Sequence, residues 1–75
     1  MRKRVNGLVY DTDKSTLLWQ DNDERRSYYE TKNGRFFIMY KTGEIDPISE
    51  DRIRDVLIEY AYNVYVNRFG EPEEA

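Results

Sequence analysis

Short runs of alternating apolar and polar residues occupy positions 2–41, and apolar residues then recur at helical spacing over 50–69, so the chain reads as strands followed by a helix. Arg2 to Tyr10 mixes β-branched and aromatic residues around Gly7 and is predicted as one strand, after which Asp11-Thr12-Asp13-Lys14-Ser15 supplies a dense turn signal. Thr16-Leu17-Leu18-Trp19-Gln20 is predicted as a second strand, closed by Asp21-Asn22-Asp23-Glu24. These two strands are expected to pair as a first hairpin.

The strongest local signal is Asn33-Gly34, which lies between Arg26-Ser27-Tyr28-Tyr29-Glu30-Thr31-Lys32 and Arg35-Phe36-Phe37-Ile38-Met39-Tyr40-Lys41. Asn tolerates positive φ and Gly adopts it freely, so the pair predicts a type I′ turn. That turn sets Lys32 opposite Arg35, Thr31 opposite Phe36, Glu30 opposite Phe37, Tyr29 opposite Ile38 and Tyr28 opposite Met39. Alternation then places Ser27, Tyr29, Thr31, Phe36, Ile38 and Tyr40 on one face, with Arg26, Tyr28, Glu30, Lys32, Arg35, Phe37, Met39 and Lys41 on the other.

Thr42-Gly43 is predicted to end the sheet, and Asp46-Pro47-Ile48-Ser49 to lead into the helix. Ser49 is placed to cap the free N–H groups, with Glu50 and Asp51 complementing the helix dipole. Gly70 suits the left-handed stop position and Pro72 prevents resumption. The expected fold is therefore α+β: an antiparallel sheet of two hairpins (ββββ) followed by one long C-terminal helix. A single domain is expected over 1–70, with a frayed acidic tail over 71–75.

The helix pattern contains more apolar surface than one sheet can cover. Ile53, Val56, Leu57, Tyr60, Ala61 and Val64 form a stripe that should pack on the sheet face holding Tyr29, Phe36, Ile38 and Tyr40. Ile58, Tyr62, Tyr65, Val66 and Phe69 form a second stripe, centred on nearly the opposite side. Arg52, Asp55, Glu59, Asn63 and Asn67 lie between the two. Folding of Tyr62, Tyr65 and Phe69 over the domain edge would be the simpler account of the second stripe. Association is the favoured one, with a two-fold homodimer or a groove on a foreign protein as the partner.

Composition narrows the chemistry. The 75 residues are 39% hydrophobic and 36% charged, so aromatics, at 15%, must supply much of the buried area of a thin core. The chain has no Cys, which excludes disulfides, thiolate metal sites and a thiol nucleophile, and no His, which removes the commonest general base and zinc ligand. Met1-Arg2-Lys3-Arg4 is followed by Val5-Asn6-Gly7 with no signal-peptide core, so a cytoplasmic location without membrane contact is expected. Asp11, Asp13 and Ser15 match the opening of a calcium loop. The match fails at Thr16, where Gly is needed, and at Asn22, where Glu is needed, so no metal is expected. Glu44, Asp46, Glu50 and Asp51 are read as helix-dipole compensation, since no nucleophile or phosphate loop accompanies them. Neither catalysis nor a cofactor is expected. The face bearing Arg26, Tyr28, Lys32, Arg35, Phe37 and Lys41 interleaves cations with aromatics, as single-stranded nucleic acid requires. The net charge of −3 makes that the second reading.

Val9-Tyr10-Asp11-Thr12, the run from Tyr29 to Phe37, and Ile45-Asp46-Pro47-Ile48-Ser49-Glu50 together resemble small uncharacterised proteins of phages and conjugative elements. Their pattern is Tyr-Asp-Thr, then Tyr-x-Thr-x-x-Gly-x-Phe-Phe, then Pro-Leu-Ser-Glu. This chain departs from them in lacking Ala after its Asp-Thr-Asp segment and in its Tyr-rich helix. The resemblance implies no activity or cofactor. It implies a mobile-element accessory protein that binds and modulates a host protein such as a nuclease or defence complex.

Overall fold

The computed structural model describes residues 2–21 and 25–71. Residues 22–24 of the turn predicted after Gln20, and 72–75 of the acidic tail, lie outside the described residues. The elements are β1 (Arg2–Val5), β2 (Leu8–Asp11), β3 (Thr16–Gln20), β4 (Arg26–Glu30), β5 (Phe36–Tyr40), β6 (Ile45–Ile48), α1 (Glu50–Tyr60) and α2 (Tyr62–Phe69). β1 and β2 form a two-stranded antiparallel ribbon, while β3-β4-β5-β6 form a second antiparallel sheet in sequence order. The class is α+β, as expected, but four details differ from the sequence pattern.

Arg2 to Tyr10 is not one strand. Asn6 at φ 52° and Gly7 at φ 79° both occupy the left-handed region, and Val5 faces Leu8 across them. The type I′ turn therefore forms at this Asn-Gly pair, and the ribbon closes on itself. β3, freed from the partner predicted for it, pairs with β4.

At Asn33-Gly34 the turn is of another kind. The Thr31 N–H donates to the Arg35 carbonyl (2.8 Å) and the Gly34 N–H to the Thr31 carbonyl (3.1 Å); Gly34 has φ 79°, and Asn33 does not share the positive φ. This is a three-residue loop, a type I turn followed by a left-handed Gly. The extra loop residue slips the register by one, so that Glu30 faces Phe36, Tyr29 faces Phe37 and Tyr28 faces Ile38. Every β4 side chain thereby changes face relative to the predicted pairing, and Tyr28 is on the helix side in place of Tyr29.

The same loop recurs one strand later. The Tyr40 N–H donates to the Glu44 carbonyl (2.8 Å), the Gly43 N–H donates to the Tyr40 carbonyl (2.8 Å), and Gly43 has φ 93°. Gly43 thus turns the chain into β6 instead of ending the sheet. β6 tolerates Pro47 because it is an edge strand.

Both faces of β5 are covered. Tyr28, Phe36 and Ile38 pack with Ile53, Leu57, Ala61 and Tyr65 on one side. Phe37 packs with Tyr10 and Ile45 on the other, supported by Val5, Tyr29 and Met39. The β1–β2 ribbon, the four-stranded sheet and the helices therefore form three layers, with Phe37 fully buried at 0% exposure. A bulge between Leu17 and Trp19 lets consecutive residues Leu18 and Trp19 both pack against the helix-side cluster.

The predicted helix over 50–69 is two helices. α1 begins as expected: Ser49 accepts a hydrogen bond from the Arg52 N–H (3.3 Å), with Glu50 and Asp51 in the first turn. It ends at Ala61, whose φ −146° and ψ 62° are not helical. An unbroken helix would turn Tyr65 roughly a third of a turn away from Ile53. The break re-aims it, so that Ile53, Leu57, Ala61 and Tyr65 all enter one cluster. Tyr60, predicted in the core stripe, is instead exposed.

Two substitutions check this architecture in urea unfolding. Phe37→Ala should lose about 3–5 kcal/mol, although the predicted register would have made it a near-neutral surface change. That loss is comparable with the whole stability of a domain of this size, about 4–11 kcal/mol. Gly34→Ala should lose about 1–2 kcal/mol, because a Cβ there meets nothing within 4 Å and only the left-handed φ opposes it.

Candidate functional site

The break at Ala61 organises the outer surface of the helix layer. No proline or glycine causes it; Ala61 is followed by Tyr62 and Asn63, and its carbonyl accepts from both Val64 (3.0 Å) and Tyr65 (3.1 Å) to start α2. Tyr60 and Tyr62 flank it, and each begins a run of rings leading inward. Tyr60 stacks on Trp19 (centroids 6.1 Å apart, planes 7° apart), which stacks on the core residue Tyr28 (5.4 Å). Tyr62 stacks on Tyr65 (6.3 Å), which meets Phe69 (5.4 Å), which meets the core residue Phe36 (6.0 Å). The outer ends stay open, with Tyr60 65% and Tyr62 50% exposed.

The second predicted stripe is accordingly divided. Tyr65 is buried and belongs to the core, and Val66 and Phe69 are half-buried against it, so these three are not a free surface. Phe69 is further covered by two guanidiniums, those of Arg54 and Arg68, each 4.8 Å from its centroid. Arg68 also donates two hydrogen bonds to the Glu30 carboxylate, which anchors α2 to β4 and raises the arginine's pKa above its ordinary value. Arg54 pairs with Glu50 at 3.3 Å. Ile58, 41% exposed, and Tyr62 are what remains of the stripe on the outside.

Beside Ile58 runs a row of exposed acids, Asp51, Asp55 and Glu59, spaced four apart on α1, while Tyr62 opens α2 beyond the break. None of the three has an ion-pair partner among the described residues. Like charges at this spacing oppose the helix by a few tenths of a kcal/mol per pair. Asp55 and Glu59 were legible in the sequence as polar flank and Asp51 as a helix-dipole residue, but which stripe residues stay outside beside them was not, because that depends on the break.

The interleaved basic and aromatic face does not exist as one surface. The register slip puts Arg26 and Tyr28 on the helix side, with Tyr28 in the core, and Phe37 is buried beneath the β1–β2 ribbon. The cations separate to different parts of the molecule. Arg26 and Lys41 join Arg25, Tyr40, Thr42 and Glu44 around a hollow of about 530 Å³. Lys32 joins Arg2 and Lys14 around another of about 260 Å³, and Arg35 borders a third beside Pro47. Asp11 serves its own turn: its side chain accepts from the Asp13 N–H (3.0 Å), and its carbonyl accepts from the Ser15 hydroxyl (2.7 Å). Among the described residues no helix is long and apolar enough to cross a membrane, and no group of three or more acidic residues could hold a metal ion.

No protein-family model, curated protein or solved structure matches the chain.

The division of the stripe is open to a direct check by thermal unfolding. Tyr65→Ser should destabilise the protein by about 3 kcal/mol or more, whereas Tyr62→Ser should stay within about 1 kcal/mol of the unmodified protein.

Proposed function

We propose that this chain is a non-catalytic protein-interaction module whose outer helix face docks on a basic surface of another protein. The observation that carries this reading is exposed Ile58 beside the row Asp51, Asp55 and Glu59 on α1, which has no ion-pair partner among the described residues, with Tyr62 exposed at the start of α2. Apolar anchors beside an uncompensated charge row supply binding energy and steering respectively. The resemblance to small proteins of phages and conjugative elements supports a host protein as the partner, such as a nuclease or a defence complex, whose nucleic-acid channel offers the complementary charge. The proposed role is that of a mobile-element accessory protein which modulates that host protein.

A purified host nuclease, immobilised on a sensor surface, tests the reading. Binding should weaken steeply between low and moderate salt and fall at least about tenfold on Tyr62→Ser combined with Ile58→Ser. The reading fails if binding survives the double substitution while circular dichroism shows the fold intact, or if chemical cross-linking in the host finds no partner whose recovery depends on these two residues.

A second reading, binding of single-stranded nucleic acid, retains one supporting observation: Arg25, Arg26 and Lys41 share a hollow with Tyr40. Titration with a labelled single strand separates the two. Nucleic-acid binding requires a salt-sensitive signal that Lys41→Ala and Tyr40→Ala reduce; the interaction-module reading expects no such signal.

A further inference from the structure

The two edges of the four-stranded sheet are protected unequally. β6 carries Asp46 and Pro47, a charge and a residue without an amide hydrogen, and both oppose the addition of another strand. β3, with the sequence Thr-Leu-Leu-Trp-Gln, carries neither, and its one irregularity is the bulge between Leu17 and Trp19. Of the six described strands only β3 and β5 have no charged residue. β5 is central and paired on both sides, so β3 is the one uncharged strand with an open edge.

An exposed apolar side chain flanks that edge on each face. Leu17, 50% exposed, faces Tyr29 on the ribbon side of the sheet, and Tyr60 stacks on Trp19 on the helix side. An edge strand offers every second N–H and C=O to a partner, and backbone pairing supplies affinity while flanking side chains seal it from water.

We infer that β3 is a self-pairing edge, which joins two copies of this chain through antiparallel β3–β3 hydrogen bonds into one continuous eight-stranded sheet. The absence of charge makes this edge compatible with its own copy. Identical charged edges would meet like against like, as the Arg2-Lys3-Arg4 run of β1 would, whereas Thr16 and Gln20 at the two ends of β3 can face one another without repulsion. Antiparallel pairing of identical strands also satisfies two-fold symmetry, and the joined sheet then ends on the two β6 edges that Asp46 and Pro47 protect. Neither Ile58 nor Tyr62 belongs to β3, so the strand edge and the helix-layer anchors can be varied independently.

Sedimentation of the whole chain at high micromolar concentration should give twice the 9.1 kDa chain mass. Leu17→Lys, at a position already half-exposed, should raise the dimer dissociation constant at least about tenfold, and Thr16→Lys should act in the same direction, while Tyr62→Ser should leave it unchanged. Hydrogen exchange on the unmodified protein gives a readout independent of any variant's folding: β3 amides should exchange more slowly in concentrated than in dilute solution. A monomer at high micromolar concentration overturns the inference. So does a dimer that dissociates on Tyr62→Ser but not on Leu17→Lys, or β3 exchange that is independent of concentration.

Discussion

Phe37 has no solvent exposure, while its neighbours Phe36 and Ile38 are buried against the opposite face of the same strand, and this two-sided burial of β5 sets the rest of the architecture. A chain this short would ordinarily bury one face of a sheet and solvate the other. Here the β1–β2 ribbon covers the second face, with Tyr10 edge-on to Phe37 at 5.4 Å and Tyr29 stacked beside it at 5.1 Å. Two thin clusters rich in rings take the place of one thick aliphatic core, which reconciles a stable fold with so polar a sequence.

The slip at Thr31–Arg35 follows from the same demand. A two-residue turn would have paired Tyr29 with Ile38 and left Tyr28 on the ribbon side. The three-residue loop puts Tyr28 beneath Trp19 and the helices and gives Tyr29 to Phe37, so each ring meets a partner. It also lets Glu30 share the helix face, where Arg68 reaches it. The break at Ala61 serves the helix layer in a comparable way. It forgoes a continuous helical ladder, and in exchange Tyr65 and Phe69 come within reach of Phe36.

What these choices leave outside is the basis of the functional proposal. Once Tyr65, Val66 and Phe69 are drawn inward, the surface retains Tyr62 at the start of α2, Ile58 beside three acids with no ion-pair partner among the described residues, and Tyr60 and Leu17 at an uncharged sheet edge. Both surfaces consist of groups left largely exposed by their own chain, and the like charges of the acid row repel one another along the helix. One suits a charged partner of different sequence and the other an identical, uncharged one.

Local chemistry along the chain was enough to settle the events whose physics is complete within a few residues. These are the α+β class, the positions of β3, β4 and β5, the Ser49 cap, the left-handed stop at Gly70 with φ 84°, and the burial of Ile53 and Leu57. Long-range packing selected which Asn-Gly pair makes the type I′ turn, which face Tyr28 takes, that β6 joins the sheet after Gly43, and that the helix breaks at Ala61. Each of these turns on a difference of one loop residue or one backbone torsion that local propensity prices almost equally, so the burial of rings distant in sequence settles it. The candidate surfaces inherit that dependence: helical spacing marks Ile58, Tyr62 and the acids as stripe and polar positions, but the break at Ala61 decides which of the stripe stays outside, and the open edge at Leu17 and Tyr60 exists only because β3 pairs with β4 alone.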